Sequence, residues 1–309
     1  MIICCGEALI DMIPMSDNQG QTSFMPKSGG AVFNTAIALG RLGLKTSFIS
    51  GLSNDLFGKQ LVNDLENSQV DTSLTVNSDR PTTLAFVELN DGQASYTFYD
   101  ENTAGRMLDP NMLPVIPDEA EALFFGGISL ISEPGADFYA ALVVRESENK
   151  IIIIDPNIRT GFITDEPHYR NRLNRMIAHA DILKVSDEDL DWIIPDALPV
   201  EEKISRVTAI GPMIVLLTKG SHGAAAYING RLAVEVPAQA VEVVDTVGAG
   251  DTFNAGVIAR LASEGVLIKT KLKEISQEQL EHALTYGAQV AAITVSRSGA
   301  NPPWAVELS

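Results

Sequence analysis

Two kinds of hydrophobic segment alternate along this chain. Short, nearly continuous apolar runs are typical of buried strands, and they occur at residues 1–5, 45–50, 122–125, 151–154, 182–185, 213–217 and 241–244. Apolar residues at helical spacing predict helices after 28–34, after 245–252 and after the Ser-x-x-Gln capping box at 276–279. The regular alternation predicts an α/β fold with a central, mostly parallel sheet.

Residues 82–99 follow a strict two-residue alternation instead. One face would carry Leu84, Phe86 and Glu88, and the other Ala85, Val87 and Leu89, with Asn90-Asp91-Gly92 as a tight turn. This pattern predicts a β-hairpin inserted into the α/β chain. Because the segment also carries Tyr96, Phe98 and Tyr99, we interpret it as a lid over a binding site. A purely decorative surface hairpin is the alternative.

Composition narrows the possible partners. The 309 residues include 22 Lys and Arg against 40 Asp and Glu, and the net charge of −18 disfavours nucleic acid and anionic membranes as partners. We find no targeting segment and no apolar run long enough to span a bilayer, so we expect a cytoplasmic protein. Cys4 and Cys5 are adjacent on a predicted strand, where their side chains would point to opposite faces and form no disulfide.

The richest stretch chemically is the turn from Asp245 to Gly256. It lies between a predicted strand and a predicted helix, so its free amides at the positive end of the helix dipole can receive an anion. Asp251 is unexpected in such a turn, because its charge would repel an anionic ligand. Removing a proton from an attacking hydroxyl is the task that fits it. An ordinary helix start, with Asp251 as its first-turn charge, is the alternative.

Polar residues at other predicted strand ends would share the same edge of the sheet. Asp11 interrupts an apolar run, either because it is exposed by alternation or because it faces a cleft and binds a polar ligand. Gly29 and Gly30 allow close approach of a ligand, and Asn34 offers both a donor and an acceptor. No GxGxxG follows the first strand, which argues against a nicotinamide-dependent oxidoreductase.

These motifs resemble the ribokinase-like (PfkB) carbohydrate kinases along essentially the whole chain. The turn from 245 to 251 resembles the C-terminal signature of that family, and Gly29-Gly30 through Asn34 to Gly43 resembles its N-terminal one. The resemblance implies a three-layer α/β/α sandwich with a small inserted β-sheet lid. We expect one kinase domain over residues 1–309, with lid segments at about 12–30 and 81–104.

The resemblance also implies roles for single residues. Asp251 would be the general base, and the amides of Gly248, Ala249 and Gly250 would form an anion hole. The sugar would contact Asp11, Gly29, Gly30, Asn34, Tyr99 and Arg159. The ATP would lie against Lys184, Ser186, Thr218, Lys219, Gly220, Gly223 and Asn301.

The expected cofactors are ATP and Mg²⁺. The family's Asn-x-x-Glu motif near the metal and phosphates corresponds here to Ser186-Asp187-Glu188-Asp189, so Asp189 would act on the metal through water. A monovalent K⁺ site at Asp245 is an open alternative. The expected partners are therefore the sugar and ATP, and a second copy of the chain could pair through the lid.

Three stretches, at 127–134, 155–159 and 299–304, resemble fructokinases, which predicts the conversion of D-fructose to fructose 6-phosphate. Related kinases for 2-keto-3-deoxygluconate use Tyr-x-Arg in the lid, whereas Phe98-Tyr99-Asp100-Glu101 here would repel a carboxylate. That acid sugar and ribose remain alternative substrates. A non-catalytic sugar-binding regulator is the alternative from another class.

Overall fold

The computed structural model describes residues 1–16, 21–90 and 93–308. Its strands are β1 (Ile2–Cys5), β2 (Leu9–Ser16), β3 (Thr22–Gly29), β4 (Thr46–Ile49), β5 (Gly51–Ser53), β6 (Val70–Asp71), β7 (Val76–Ser78), β8 (Leu84–Asn90), β9 (Gln93–Tyr99), β10 (Ala122–Gly126), β11 (Ile151–Asp155), β12 (Ile182–Ser186), β13 (Ile214–Thr218), β14 (Ala224–Ile228) and β15 (Arg231–Val236). Its helices are α1 (Ala31–Arg41), α2 (Leu56–Asn67), α3 (Gly135–Glu146), α4 (Glu166–Ile177), α5 (Asp187–Ile193), α6 (Val200–Ile210), α7 (Ala249–Ser263), α8 (Lys269–Leu272) and α9 (Gln277–Val295). Short 3₁₀ helices occur at Gly127–Leu130, Thr160–Phe162, Gly220–His222 and Ala305–Glu307.

The central sheet has nine strands in the order β15-β14-β13-β12-β11-β10-β1-β4-β6. The strands from β13 to β6 are parallel, and β14 and β15 add an antiparallel edge. This arrangement confirms the predicted mostly parallel sheet. Because β1, β10, β11, β12 and β13 run in one direction, the polar residues that follow them meet at one edge.

Two apolar cores cover the two faces of the sheet and make it a three-layer α/β/α sandwich. Alternate residues of β1 divide between them: Ile2 and Cys4 belong to the core under α1, α7 and α9, and Ile3 and Cys5 to the core under α3, α4 and α6. Both cysteines are buried and free, as their predicted opposite orientation requires. The alternation also explains why these parallel strands read as continuous apolar runs.

A separate four-stranded sheet, which we call the lid, has the order β3-β2-β8-β9. It combines two antiparallel pairs through a parallel contact between β2 and β8. The predicted hairpin of residues 82–99 is present, although the turn residues Asp91 and Gly92 and the side chains of Glu88 and Leu89 lie outside the described part. Ala85 and Val87 are buried on the lid face that also carries Asp11, Tyr96 and Phe98. A further two-stranded sheet pairs β5 with β7.

The predicted strand at 241–244 is wrong. The chain leaves the central sheet after β15, and residues 237–243 have no regular structure. The amides of Val244 and Asp245 both donate to the carbonyl of Val295, at 2.8 and 3.1 Å, instead of to a neighbouring strand. Val243 and Val244 are exposed, so this apolar run packs in no core. The helices predicted after 28–34, 245–252 and 276–279 are confirmed as α1, α7 and α9.

Candidate active site

The start of α7 is shaped for a small anionic group. Gly248 has a left-handed conformation, with φ of 78°, and an added Cβ there would lie 2.7 Å from the Cβ of Ala300. Only glycine adopts this conformation without strain or collision. The first-turn amides of a helix lack partners within the helix, and they carry the positive end of its dipole. The amide of Ala249 makes only a long bond, 3.3 Å, to the carbonyl of Thr246.

Asp251 lies in the first turn of α7 and is 8% exposed. Its Oδ2 accepts a hydrogen bond from Nδ2 of Asn34 at 2.9 Å. Burial raises the pKa of Asp251 to about 7, the hydrogen bond from Asn34 opposes this rise, and the charge of Asp155 adds to it. The carboxyl group can therefore exchange a proton near neutral pH, which a general base must do.

A buried ion pair lies beside Asp251. Nζ of Lys184 is 3.0 Å from Oδ2 of Asp155, and Nδ2 of Asn254 donates to the same oxygen at 2.6 Å. Burial disfavours the Lys184 ammonium, but the carboxylates of Asp155 and Asp189 more than compensate, so the pKa of Lys184 is raised and the lysine stays charged. This fixed positive charge is available to a phosphate group at the α7 turn.

Glu7 was not predicted from the sequence, although it also lines the site. It follows β1 and is 8% exposed. Oε1 accepts from the amide of Ala31 at 2.8 Å, and Oε2 from the amide of Ser129 at 3.2 Å. Glu7 therefore holds the first turn of α1 against the 3₁₀ helix that follows β10. A charged residue between two apolar runs, at 2–5 and 8–10, is the signal that could have identified it.

Asp11 lies on lid strand β2 and lines a cavity that also contains Asp251. Of the two alternatives for Asp11, exposure by strand alternation or a position in a cleft, the structure favours the cleft. Burial raises its pKa to about 6. A Cβ added at Gly29 would lie 2.3 Å from Oδ2 of Asp11, so the missing side chain makes room for the carboxylate. Gly30, which caps α1, also lines the cavity.

The aromatic residues that reach the cavity from the lid are Tyr96 and Phe98, and Tyr99 does not line it. Tyr99 lies on the other face of β9, where its ring centroid is 5.5 Å from that of Phe86. The ring centroids of Phe98 and Phe162 are 4.3 Å apart, so the lid contacts the segment that follows β11. The family resemblance placed Tyr99 at the sugar, and alternation could not correct this, because alternation alone does not tell which face of a strand is inward.

A cavity of about 350 Å³ joins these groups. It extends from the lid residues to the α7 turn and includes Asp11, Gly30, Asn34, Arg159, Lys184, Gly248, Ala249, Gly250 and Asp251. Its volume is in the range of small-molecule sites. Arg159 follows β11, and no described carboxylate pairs with it.

The residues expected around ATP lie in several places: Lys184 lines the cavity that contains Asp251, and Ser186 caps α5. Thr218, Lys219, Gly220 and Gly223 lie at the end of β13, beside a second cavity of about 360 Å³ that Lys219 lines with Glu235 and Pro237. Asn301 lies elsewhere, because its Oδ1 accepts a hydrogen bond from Arg41 at 2.8 Å. Asn301 is not among the residues that line this second cavity.

The two carboxylates expected near metal ions, those of Asp189 and Asp245, accept hydrogen bonds that come mostly from main-chain amides. Asp189 is 5% exposed, and its carboxylate accepts from the amides of Ile158 and Ser186 at 2.8 and 3.0 Å and from the Ser186 hydroxyl at 2.8 Å. It closes the capping box of α5, with Ser186 as the cap. Asp245 accepts from the amides of Val247 and Gly299, and so ties two loops together. With its carboxylate oxygens held in this way, Asp189 could reach a metal ion only through water, as expected, and phosphates and water would supply the direct ligands.

The described helices include none with the length and apolar character needed to cross a bilayer.

Comparison with known proteins gives consistent relatives. A fructokinase from Rhizobium leguminosarum bv. trifolii is 48% identical over 91% of this chain and 86% of its own length.

Two solved structures are also similar. A fructokinase from Xylella fastidiosa with bound ATP is 27% identical, with a TM-score of 0.88 over 99% of this chain and 97% of that chain. A fructokinase from Vibrio cholerae O395 with bound fructose, ADP and calcium ion is 26% identical, with a TM-score of 0.82 over 97% and 94%. The pfkB family carbohydrate kinases match residues 1–306. Because that match covers nearly all of a chain with this fold and this site, the protein belongs to the pfkB family of carbohydrate kinases.

Proposed function

We propose that this kinase transfers the γ-phosphoryl group of ATP to the primary hydroxyl of D-fructose and forms fructose 6-phosphate. The observation that carries the proposal is the position of Asp251, a carboxyl group with a pKa of about 7 inside a cavity that also contains Asp11 and the α7 turn. Relatives named fructokinase support the choice of sugar.

In the proposed reaction, Asp251 accepts the proton of the hydroxyl while the hydroxyl oxygen forms a bond to the γ-phosphorus. The bond from that phosphorus to the β-phosphate oxygen breaks, and ADP leaves. The amides of Gly248, Ala249 and Gly250 and the ammonium of Lys184 stabilise the charge on the phosphoryl oxygens. Bound Mg²⁺ would supply further charge neutralisation on the phosphates. Positioning and electrostatics suffice, so no covalent intermediate is needed.

We assign the remaining groups as follows. Asp11 accepts hydrogen bonds from sugar hydroxyls, and Asn34 and Arg159 donate them, because all three line the cavity with Asp251. The lid closes over the sugar and excludes water, as phosphoryl transfer requires. The nucleotide base lies along the cavity after β13. A cytoplasmic location, dependence on K⁺ near Asp245 and a homodimer through the lid stay predictions.

The test is a panel of sugars assayed by coupled ADP release, with kcat/KM determined for each. D-fructose should lead ribose and 2-keto-3-deoxygluconate. Asp251→Asn should bind fructose normally but lose at least about 10²-fold in kcat, the scale of general-base catalysis. A higher kcat/KM for another sugar would contradict the assignment of D-fructose as the substrate. Near-normal turnover of Asp251→Asn would contradict the assignment of Asp251 as the general base. Saturable fructose binding without ADP release would favour the sugar-binding regulator instead.

A further inference from the structure

Helix α1 presents two consecutive side chains to Asp251. Nδ2 of Asn34 donates to Oδ2 of the carboxylate at 2.9 Å, and the Thr35 hydroxyl oxygen lies 3.1 Å from the main-chain oxygen of Asp251 and 3.0 Å from that of Ala31. Asn34 is 8% exposed and Thr35 fully buried. A carboxylate can only accept hydrogen bonds, so the amide nitrogen of Asn34 must face it. The helix that carries the sugar-binding turn therefore also holds the base.

The two oxygens of Asp251 have different surroundings. Oδ2 is engaged by Asn34, whereas no residue in the described part of the chain donates a hydrogen bond to Oδ1. We propose that Asn34 is a positioning residue for Asp251, and that its amide holds Oδ2 so that Oδ1 is the atom that takes the proton. This inference rests on the proposed function, because it takes Asp251 to be the base.

The charged groups facing Asp251 come from three other elements. Asp155 at the end of β11 and Glu7 after β1 disfavour its ionised form, and Lys184 on β12 favours it. The Asn34 amide adds a hydrogen bond that also favours the ionised form. Loss of that bond should move the titration of Asp251 upward by about one pH unit, since hydrogen bonds to charged groups are among the stronger ones.

The experiment is a titration of Asp251 by ¹³C NMR of the full chain with labelled Asp carboxyl carbons, without sugar or nucleotide. The Asp251→Asn spectrum identifies the signal. Asn34→Ala should titrate about one pH unit higher than the unchanged chain. Asn34→Asp, which keeps the side-chain shape, should titrate higher still, because two adjacent carboxyl groups share a proton. Thr35→Val is the matched control, because it alters the same helix contact without touching the carboxylate.

The acid limb of kcat/KM for fructose should move with the NMR titration, since kcat/KM reports groups of the free enzyme. An unshifted titration in Asn34→Ala, with a raised KM for fructose, would show that Asn34 only binds sugar and would overturn the inference, whatever Asn34→Asp does through its added charge. An equal shift in Thr35→Val would also overturn it, because a loosened helix contact would then be the cause. Near-normal turnover in Asp251→Asn would instead overturn the proposed function, and Oδ1 as proton acceptor with it, whatever the titration shows.

Discussion

Replacing Asp251 by Asn should make the protein more stable at alkaline pH while abolishing catalysis. In the folded state burial raises the pKa of this carboxyl group from 3.8 to about 7. The folded state therefore holds a proton that the unfolded state has released between about pH 4 and pH 7, and stability falls as pH rises through that range. Above about pH 7 Asp251 is ionised in the folded state as well, and burial of its charge then lowers the free energy of unfolding by the full amount.

The size of this cost follows from the two pKa values. One pH unit corresponds to about 1.4 kcal/mol, so a rise from 3.8 to about 7 sets an upper limit of about 4 kcal/mol. Asn cannot ionise, and its Oδ1 can still accept the hydrogen bond from Asn34. We therefore expect Asp251→Asn to gain at least about half of that limit at pH 8. The gain should shrink steadily toward pH 5, where the carboxyl group is neutral in the folded protein.

Urea unfolding at pH 5, 6, 7 and 8, without ligands, measures this free-energy difference directly, provided that the urea dependence (m value) is unchanged. Asp109→Asn, at an exposed residue, controls for the substitution itself. A variant that is no more stable than the unchanged chain at pH 8 would refute the reasoning. So would a gain that is the same at pH 5 and pH 8, because packing alone would then account for it.

Three further changes test other parts of the site. Gly248→Ala should destabilise the protein by about 1–3 kcal/mol and lower kcat, because φ is 78° and the new Cβ would meet Ala300; thermal unfolding and initial rates measure both effects. Lys184→Met should lower the free energy of unfolding by about 3–5 kcal/mol, because it leaves the buried carboxylate of Asp155 without its ion-pair partner. Adding Asp155→Asn should restore part of that stability, and urea unfolding measures both changes. Phe98→Ala should raise KM for fructose up to about tenfold through loss of the contact with Phe162, with ADP release as the assay.

The sequence allowed prediction of the sheet and of the edge that carries the site. Continuous apolar runs such as 151–154 are typical of strands buried on both faces, and their carboxyl ends meet at one edge if the strands are parallel. The predicted helix start after residue 245, not a preceding strand, placed Asp251 beside a turn expected to receive an anion, and the cavity contains both. The run at 241–244 failed because apolar composition does not show whether a neighbouring strand exists.

Pairings between distant residues could not be predicted. Three such pairings hold the site together, and each joins residues on or next to different elements of the fold. They are Glu7 with Ala31, Lys184 with Asp155, and Asn34 with Asp251. No local periodicity encodes them, because they arise only when the parallel strands align. The same limit explains the placement of Tyr99: its neighbours on β9 have similar chemistry, and only the pairing of β9 with β8 decides which of them faces inward.

The parallel contact between β2 and β8 fuses two hairpins into one plate, although they are separated in the chain by α1, β4 and α2. Asp11 lies on one hairpin and Phe98 on the other. We expect a sheet joined in this way to move as one body, so that Asp11 and Phe98 would reach an incoming sugar together. Fluorescent labels on the two hairpins should then report a single shared relaxation when fructose binds, rather than two successive ones.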